Sequence, residues 1–242
     1  MLLGLTMQMQ QLNTEGWAKT YLIWDDESKE GALIDPVFDF TNSYLSTIEQ
    51  MGLTLTMCIA THTHADHITG CFTIAESVGC DYVMWHSTPS LGVTKLVNSD
   101  SVLTLGNHTM TFHHVPGHTE DSMLVVTSKH VFTGDFLFTG DGGVGRDDLP
   151  SGRQQAHWES LKVMNDLSGD LVVCAGHEAP GVEMQTLDWN RNNNPILKMK
   201  DFAEYAVWQK STTEQLGYVS KIKVALPANI FAEIPEEIPW MK

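Results

Sequence analysis

The sequence predicts an α/β fold in which two β-sheets pack face to face and helices cover both outer surfaces, a four-layer αββα sandwich. Each half of the chain contains a group of short, strand-like apolar segments accompanied by amphipathic helical segments. The chain has 242 residues, of which 42% are hydrophobic and 18% are charged. Because this length and composition can bury one large core, we expect a single domain over residues 1–242.

The first half of the chain supplies the first group of elements. Strands are predicted at Thr6–Leu12, Ala18–Trp24, Gly31–Ile34 and Leu53–Ala60. Helices are predicted over Phe40–Met51 and about Asp66–Val78, where apolar residues recur at helical spacing.

The second half repeats this organisation. Strands are predicted at Tyr82–Trp85, Val102–Leu105, Thr109–Val115, Met123–Thr127, His130–Phe132 and Leu171–Cys174. A helix is predicted over Ser151–Leu167, one or two helices between Glu183 and Lys210, and a late strand near Ile222–Leu226.

Charge and cysteine content exclude several classes of function. The formal net charge of −16 argues against nucleic acid or an anionic membrane as a partner, and no apolar run reaches transmembrane length. The first eleven residues lack the features of a signal peptide and favour a strand. The four cysteines lack CxxC spacing, so we expect buried thiols in a reducing compartment, the cytoplasm.

The segment Thr-His-Thr-His-Ala-Asp-His at residues 61–67 is the most informative part of the sequence. It follows a predicted strand and precedes a predicted helix, the position at which α/β folds collect ligands. Its polar side chains are His62, His64, Asp66 and His67. Imidazole and carboxylate groups bind zinc, iron and related metals, which compensate the cost of burying such groups together. The segment therefore predicts a metal site.

Three further strand ends present a histidine or an aspartate after small or turn-forming residues. These residues are His118 in Pro-Gly-His, Asp135 in Thr-Gly-Asp, and His177 in Ala-Gly-His. Each is a weak signal alone. Together with the four residues of the first motif they are sufficient for two metal ions that share a bridging carboxylate.

The order HxHxDH, GH, GD and GH resembles that of the metallo-β-lactamase superfamily, over nearly the whole chain. Within that superfamily the chain looks most like the persulfide dioxygenases. The stretches that carry this resemblance are ALIDPV at 32–37, THTHADHITG at 61–70, VPGHTEDS at 115–122, FTGDFLF at 132–138, GRDD at 145–148, NNNPIL at 192–197 and LPANIF at 226–231. The resemblance implies the αββα sandwich, with the metal site at one edge of the two sheets.

The resemblance also implies a particular chemistry. One Fe(II) per chain would be held by His62, His118 and Asp135, an arrangement that leaves coordination positions open. The remaining motif residues, His64, Asp66, His67 and His177, would surround that ion, with Asp66, His67 and His177 serving catalysis. The implied enzyme oxidises a low-molecular-weight, glutathione-like persulfide with O₂ to sulfite and thiol.

Two other functions remain open at this point. The same seven residues hold two Zn(II) ions in hydrolases of the glyoxalase II type, which cleave thioesters or lactones with a metal-bound hydroxide. A non-enzymatic binding scaffold is disfavoured because all seven ligand positions are filled. A nuclease is disfavoured by the acidic charge and by the absence of a second predicted domain.

The sequence departs from the persulfide dioxygenase pattern on the substrate side. Ala179 stands where the family usually has a tyrosine, and the loop from Thr139 to Gly145 is longer and lacks an arginine that the family often carries there. We therefore expect weak discrimination in favour of the glutathione portion of a substrate.

Several other residues have structural interpretations. Arg146 and Asp148 are expected to form an ion pair that braces the metal loop, and Cys71 to be a buried thiol. For Arg191, a substrate contact and a helix-end salt bridge are equally favoured. The tryptophans Trp189, Trp208 and Trp240 are candidates for a pocket wall or for a subunit contact, as in a homodimer. The remaining histidines are expected on the surface or in strands, with His114 nearest to the metal loop: His86, His108, His113, His114, His130 and His157.

Overall fold

Two β-sheets form the centre of the computed structural model, which describes residues 7–13 and 18–241. The strands are β1 Gln8–Gln11, β2 Tyr21–Trp24, β3 Glu30–Ile34, β4 Thr54–Ile59, β5 Asp81–Trp85, β6 Lys95–Val97, β7 Val102–Leu105, β8 His108–His114, β9 Met123–Val126, β10 His130–Gly134 and β11 Val172–Ala175. The helices are α1 Thr41–Gln50, α2 Cys71–Val78, α3 Gln154–Ser160, α4 Val163–Asp166, α5 Leu187–Asn193, α6 Phe202–Leu216 and α7 Ile222–Phe231. The predicted start of the first strand at Thr6 lies outside the described residues.

The strand order follows the chain closely in both sheets. The first sheet has the order β1-β2-β3-β4-β5-β6, antiparallel as far as β3 and parallel from β3 to β6. The second has the order β11-β10-β9-β8-β7, in which only the β10–β11 pair is parallel. Across the described ranges, no helix has the length and apolar content needed to cross a lipid bilayer.

Three buried layers of side chains confirm the predicted αββα arrangement. Between the sheets, Tyr21 and Ile34 pack against residues of the second sheet such as Phe132. On the outer face of the first sheet, Leu22 and Leu33 pack against helices α1, α2 and α7. Successive strand residues point to opposite faces, so both faces of β2 and β3 are buried. Helices α3 to α6 cover the outer face of the second sheet in the same way.

The predicted strand at Ile222–Leu226 is wrong, because this segment forms the first half of helix α7. Its alternating Ile222, Val224 and Leu226 resemble a half-buried strand, but Ala225 and Ala228 pack against the first sheet's outer layer at helical spacing. Burial in the tertiary structure therefore overrides the local pattern. The edge strand β6 was not predicted, since only three residues pair there.

Two predicted helices have different limits in the structure. Helix α2 begins at Cys71 rather than Asp66, because the carbonyls of His64 and His67 accept hydrogen bonds from the Asn229 side chain at 2.9 Å each. Residues 61–70 therefore form an irregular loop instead of a first helical turn. The helix predicted over Ser151–Leu167 is divided into α3 and α4, which begins at Val163.

The expectation that His157 is a surface or strand residue is wrong. His157 lies in helix α3 and is completely buried, where its Nε2 donates to the Phe136 carbonyl at 3.0 Å. Burial lowers the pKa of His157 to about 3. Its backbone fits against Gly117, where a Cβ would overlap it, so His157 packs directly behind the loop that carries His118.

His157 should make stability dependent on pH. Because its pKa is lower in the folded state than in the unfolded state, the unfolded chain binds more protons, and stability is lost as the pH falls from about 6.5 towards 3. His157→Gln keeps a donor for Phe136 but removes this titration. Between pH 6 and 4, the free energy of unfolding in urea should fall by about 1.4 kcal/mol per pH unit more steeply in the wild type than in His157→Gln. The same dependence of unfolding free energy on pH in both proteins would contradict the prediction that His157 is buried in its neutral form.

Candidate metal centre

The predicted ligand residues all lie at one edge of the two sheets, where four strands end. Strand β4 leads into the loop at residues 61–70, and β8 leads into the turn that carries His118. Asp135 directly follows β10, and His177 follows β11 after one glycine. Because β10 and β11 are parallel neighbours, Asp135 and His177 emerge side by side.

The structure brings all seven predicted residues into one cluster. Three sets of ligand atoms are present among the described residues: His62 with His118 and Asp135; His64 with Asp66 and His67; and Asp66 with Asp135 and His177. Within each set the ligand atoms lie within 4.8 Å of one another. Since Asp66 and Asp135 each belong to two sets, the three sets form one continuous group of donors.

Hydrogen bonds fix the orientation of two imidazoles in the first set. His118 Nδ1 lies 2.7 Å from the Arg146 carbonyl, which can only accept, so Nδ1 carries the proton. Thr61 Oγ1 donates its one proton to Asp35 at 2.8 Å and must therefore accept from His62 Nδ1 at 3.0 Å. Both histidines consequently present an unprotonated Nε2 to the cluster, the form in which imidazole binds metals.

The two carboxylates of the cluster stand between imidazoles. Asp66 Oδ2 lies 3.2 Å from His67 Nδ1 and 3.3 Å from His177 Nε2. Asp135 Oδ2 lies 3.7 Å from His118 Nε2 and 3.6 Å from His177 Nε2. Asp135 thus connects the set of His62 and His118 to the set that contains Asp66 and His177.

Several buried atoms of the cluster lack a hydrogen-bond partner in the described part of the chain. They are Nε2 of His62, Nε2 of His67 and Oδ1 of Asp135. A buried polar atom without a partner is costly, and few occur in a native protein. The unpartnered Nε2 atoms of His62 and His67 belong to the donor sets and fit the lone pairs that a metal ion would take up, so the donors present match a metal centre.

The pKa shifts in the cluster favour neutral imidazoles at His62 and His67 and an ionised carboxylate at Asp66. Burial, reinforced by the neighbouring His64 and His118, lowers the pKa of His62 well below its ordinary value. Burial also lowers the pKa of His67. Burial opposes the ionisation of Asp66, but His67 and His177 outweigh it and hold its pKa well below the usual range. Neutral imidazole and carboxylate are the forms that bind a cation.

Glycines allow the loops to approach one another closely. Gly134, directly before Asp135, has φ of 48°, a conformation that favours glycine, and a Cβ there would overlap Thr61 Oγ1. Any larger residue would separate the turn that carries Asp135 from the loop that carries His62.

Side-chain amides hold the metal loops from outside, and sequence reasoning did not identify them. Asn229 in helix α7 donates to the carbonyls of His64 and His67 and accepts from Thr69 N at 2.9 Å. Asn194 donates to the carbonyls of Phe138 and Gly143 at 3.0 and 2.9 Å, which closes the loop after Asp135. These asparagines lie in the NNNPIL and LPANIF stretches, which the resemblance had marked without assigning a role.

Two buried aspartates behind the motif were also missed as functional residues. Asp35 accepts from Thr61 N at 2.7 Å, and its Oδ1 lies 3.2 Å from His64 Nε2. Burial alone would lower the pKa of His64, but the hydrogen bond and charge of Asp35 raise it. Asp121 accepts from the amide and the hydroxyl of Thr63 at 3.2 and 2.5 Å. Both aspartates stand in stretches quoted for the resemblance, ALIDPV and VPGHTEDS.

A cavity of about 390 Å³ opens over the cluster. Asp66, His118, Asp135 and His177 form its polar part. Its apolar part includes Phe138, Val144, Leu149, Leu216 and Val219. Helix α6 and the segment after it thus contribute one wall, although the sequence analysis assigned them no role at the site.

Ala179 does not line the cavity over the cluster but a second cavity of about 480 Å³, together with Glu178 and Trp189. The two cavities adjoin at Gly142, which lines both, and Glu178 Oε1 accepts from Thr139 N at 2.7 Å on the side of the second cavity. A cation is present at the first cavity after all, since Arg146 lines it.

Two arginines have structural partners. Arg146 donates to both carboxylate oxygens of Asp148 at 2.6 and 2.8 Å, which confirms the predicted ion pair next to His118. Arg191 donates to the carbonyls of Met164 and Leu167 at the end of α4, the helix-end role that was one of its two interpretations. His114 stacks on Trp85 at 4.8 Å and is in none of the donor sets found among the described residues.

Loss of the Asn229 side chain should weaken metal binding without removing a ligand. Asn229→Ala leaves the carbonyls of His64 and His67 without their donor, so the motif loop loses its fixed shape. The affinity for added Zn(II) should fall roughly 10–100-fold in a chelator competition, as for other groups that orient ligands. Asn193→Ala is the matched control, because its side chain donates to Trp189 within helix α5. Equal Zn(II) affinities for the two variants would contradict the role of Asn229 in holding the motif loop.

Comparison with known proteins agrees with the order of motifs and with the fold. A profile of the metallo-beta-lactamase superfamily matches residues 18–177. The human protein named persulfide dioxygenase ETHE1, mitochondrial, is 32% identical over 184 residues, which cover 74% of this chain and 71% of that protein. The hydroxyacylglutathione hydrolase GloC of Haemophilus influenzae is 29% identical over 74% of this chain and 92% of that protein. The crystal structure of ETHE1 from Myxococcus xanthus superimposes with a TM-score of 0.86 at 29% identity, covering 93% of this chain and 99% of that one. The chain therefore belongs to the metallo-beta-lactamase superfamily, as its motifs predict.

Proposed function

We propose that this protein is an Fe(II)-dependent dioxygenase that oxidises a low-molecular-weight persulfide to sulfite and thiol. The observation that carries the proposal is the donor set of His62, His118 and Asp135 at the base of an open cavity. Two imidazoles and one carboxylate are the ligand set of non-haem iron oxygenases. Similarity to the human persulfide dioxygenase ETHE1 over 74% of the chain, and to ETHE1 from Myxococcus xanthus over 93%, supports the same choice.

His118 and Asp135 line the cavity, so an ion held by them and His62 would be reached from that side. Held there, Fe(II) would supply coordination positions for a persulfide sulfur and for O₂. The overall reaction is RSSH + O₂ + H₂O → RSH + SO₃²⁻ + 2 H⁺. The second nitrogen of each histidine is held by Thr61 or by the Arg146 carbonyl, so neither ring can rotate away from the site.

The cavity favours a small thiol-derived substrate. A volume of about 390 Å³ is in the range of small-molecule sites, and Phe138, Val144 and Leu216 give it apolar walls that can pack against a thiol-derived substrate. Arg146 at its margin is paired with Asp148, so this residue pair gives one side of the cavity a polar rim. Because Ala179 lies in the second cavity, glutathione recognition at this site depends on other residues.

Asp66, His67 and His177 are the groups available to move protons. Asp66 remains ionised between two imidazoles, so a proton at His177 Nε2 can be held by Asp66 Oδ2 at 3.3 Å. His177 also lines the cavity, where it can donate that proton to the departing thiolate. His64, paired with Asp35, holds the loop behind this group.

A binuclear zinc hydrolase is the second candidate, and one observation favours it. Asp135 belongs to two of the three donor sets, as a carboxylate that bridges two metal ions would. The similarity to the Haemophilus influenzae hydrolase points in the same direction. In that case His64, Asp66, His67 and His177 are ligands, and the substrate is a thioester or a lactone.

The cellular setting is part of the same proposal. All four cysteines are buried free thiols, as expected of a protein in a reducing compartment such as the cytoplasm. We propose that residues 1–242 form a single domain with a small-molecule substrate and O₂ as its reactants. The net charge of −16 disfavours nucleic acid as a partner.

The metal content distinguishes the two candidates. Protein produced without added metal should contain close to one iron per chain and consume O₂ with a persulfide. His118→Ala should lose the iron, because it removes one of three ligands. His113→Ala, on strand β8 just before the turn that carries His118, is the control, since His113 is in none of the donor sets of the described residues. Two tightly bound zinc ions per chain, with no activity gained on adding Fe(II), would support the hydrolase instead.

The roles of Asp66 and His177 provide a second test. If the site holds one iron, Asp66→Asn and His177→Ala should keep most of the metal while turnover falls roughly 10–100-fold. Asp81→Asn, at an exposed ion pair with Lys95, controls for the loss of a carboxylate. Loss of half of a two-metal complement in either variant would mean that the site is binuclear.

A further inference from the structure

Three of the four cysteines gather in the layer between the first sheet and its helices. Cys58 on β4, Cys71 at the start of α2 and Cys80 just before β5 belong to one buried group. The Sγ atoms of Cys58 and Cys80 are 3.9 Å apart. Cys174 lies elsewhere, in the core between the two sheets. The mechanism proposed above uses none of these thiols.

Cys58 and Cys80 differ in a way that suits a two-step reaction. Cys58 is completely buried, whereas Cys80 is 9% exposed in the turn after α2. The Cys58 thiol can donate to a Cys80 thiolate, which lowers the pKa of Cys80, while burial raises the pKa of Cys58 well above its ordinary value. Since the thiolate is the nucleophile, Cys80 is the thiol that reacts first with a small molecule.

The turn that carries Cys80 has room to move. A disulfide requires the two sulfurs to approach from 3.9 Å to about 2.05 Å. Gly79 has φ of 75°, and the space where its Cβ would stand has no atom within 4 Å. Val78, the last residue of α2, is exposed, so the outer side of this turn faces solvent.

We propose that Cys58 and Cys80 form a reactive thiol pair that low-molecular-weight persulfides and disulfanes convert to a disulfide. The Cys80 thiolate attacks the outer sulfur of RSSH, forming Cys80–S–SH and releasing RSH. Cys58 then attacks the Cys80 sulfur, its proton leaves with the hydrosulfide as H₂S, and the Cys58–Cys80 bond forms. In sum, two thiols are oxidised and RSSH is reduced to RSH and H₂S.

The Cys58–Cys80 disulfide would form at the strand that leads into the metal loop. Cys58 is on β4, the strand that leads through Ala60 into Thr61 and His62. A bond to Cys80 would tie this strand to the turn before β5, its parallel neighbour. The proposal extends beyond the dioxygenase reaction and does not depend on which metal the site holds.

Peptide mapping of the intact protein tests the pair directly. The protein as purified is incubated without O₂ with disodium disulfide, alkylated, digested and analysed without reduction by mass spectrometry. We expect the loss of two of the four free thiols and one linked peptide that joins Cys58 to Cys80. No linked peptide, or a link that involves Cys71 or Cys174, would overturn the proposal. Because oxygen is absent and no turnover is measured, failure of the dioxygenase proposal would not alter this result.

Variants test the order of the two steps. In Cys58→Ser the reaction should stop at Cys80 with the mass of one added sulfur atom, and in Cys80→Ser the other three thiols should remain reduced. Cys174→Ser should behave as the wild type, because its sulfur contacts Met184 in a different layer. Added sulfur on Cys58 in the Cys80→Ser protein would refute the assigned order. Where a variant fails to fold by circular dichroism, the wild-type mapping alone decides.

Discussion

The burial of three imidazoles in one short loop is the constraint on which this structure depends. His62, His64 and His67 are each at least nine-tenths buried, and Nε2 of His62 and of His67 meets no partner within the described chain. Protein groups alone do not offset the cost of desolvating them. The loop is therefore suited to a bound cation, and much of the surrounding structure serves to hold it ready for one.

The scaffold meets this constraint with buried polar groups that do not themselves touch the cavity. Asp35 fixes Thr61 and through it the ring of His62, while the Arg146 carbonyl fixes His118. The Asn229 amide occupies backbone carbonyls that would otherwise begin a helix. Each contact is an ordinary hydrogen bond, but together they leave the donor atoms of four separate strand ends few other positions to adopt.

The sequence was sufficient to predict the layers, and the seven residues that it marked as candidate ligands lie in one cluster, because strand alternation, the HxHxDH pattern and the later strand-end motifs are local signals. It was not sufficient for Asn229, whose role depends on contacts with residues more than 150 positions away. His157 was misplaced because its burial depends on packing behind Gly117, which no local pattern reports. The resemblance marked Ala179 as a substrate-side position, but the cavity that it lines depends on how the loops after β10 and β11 pack, which no local pattern reports.

The contact between α7 and the motif loop also bears on the order in which the protein is made. The histidines of the loop leave the ribosome long before Asn229 does, so the nascent chain carries them without the groups that shape the site. Such a long-range contact closes late in folding, after the loop entropy between its partners has been overcome. The shape of the histidine loop therefore depends on a residue that is synthesised more than 150 positions after it.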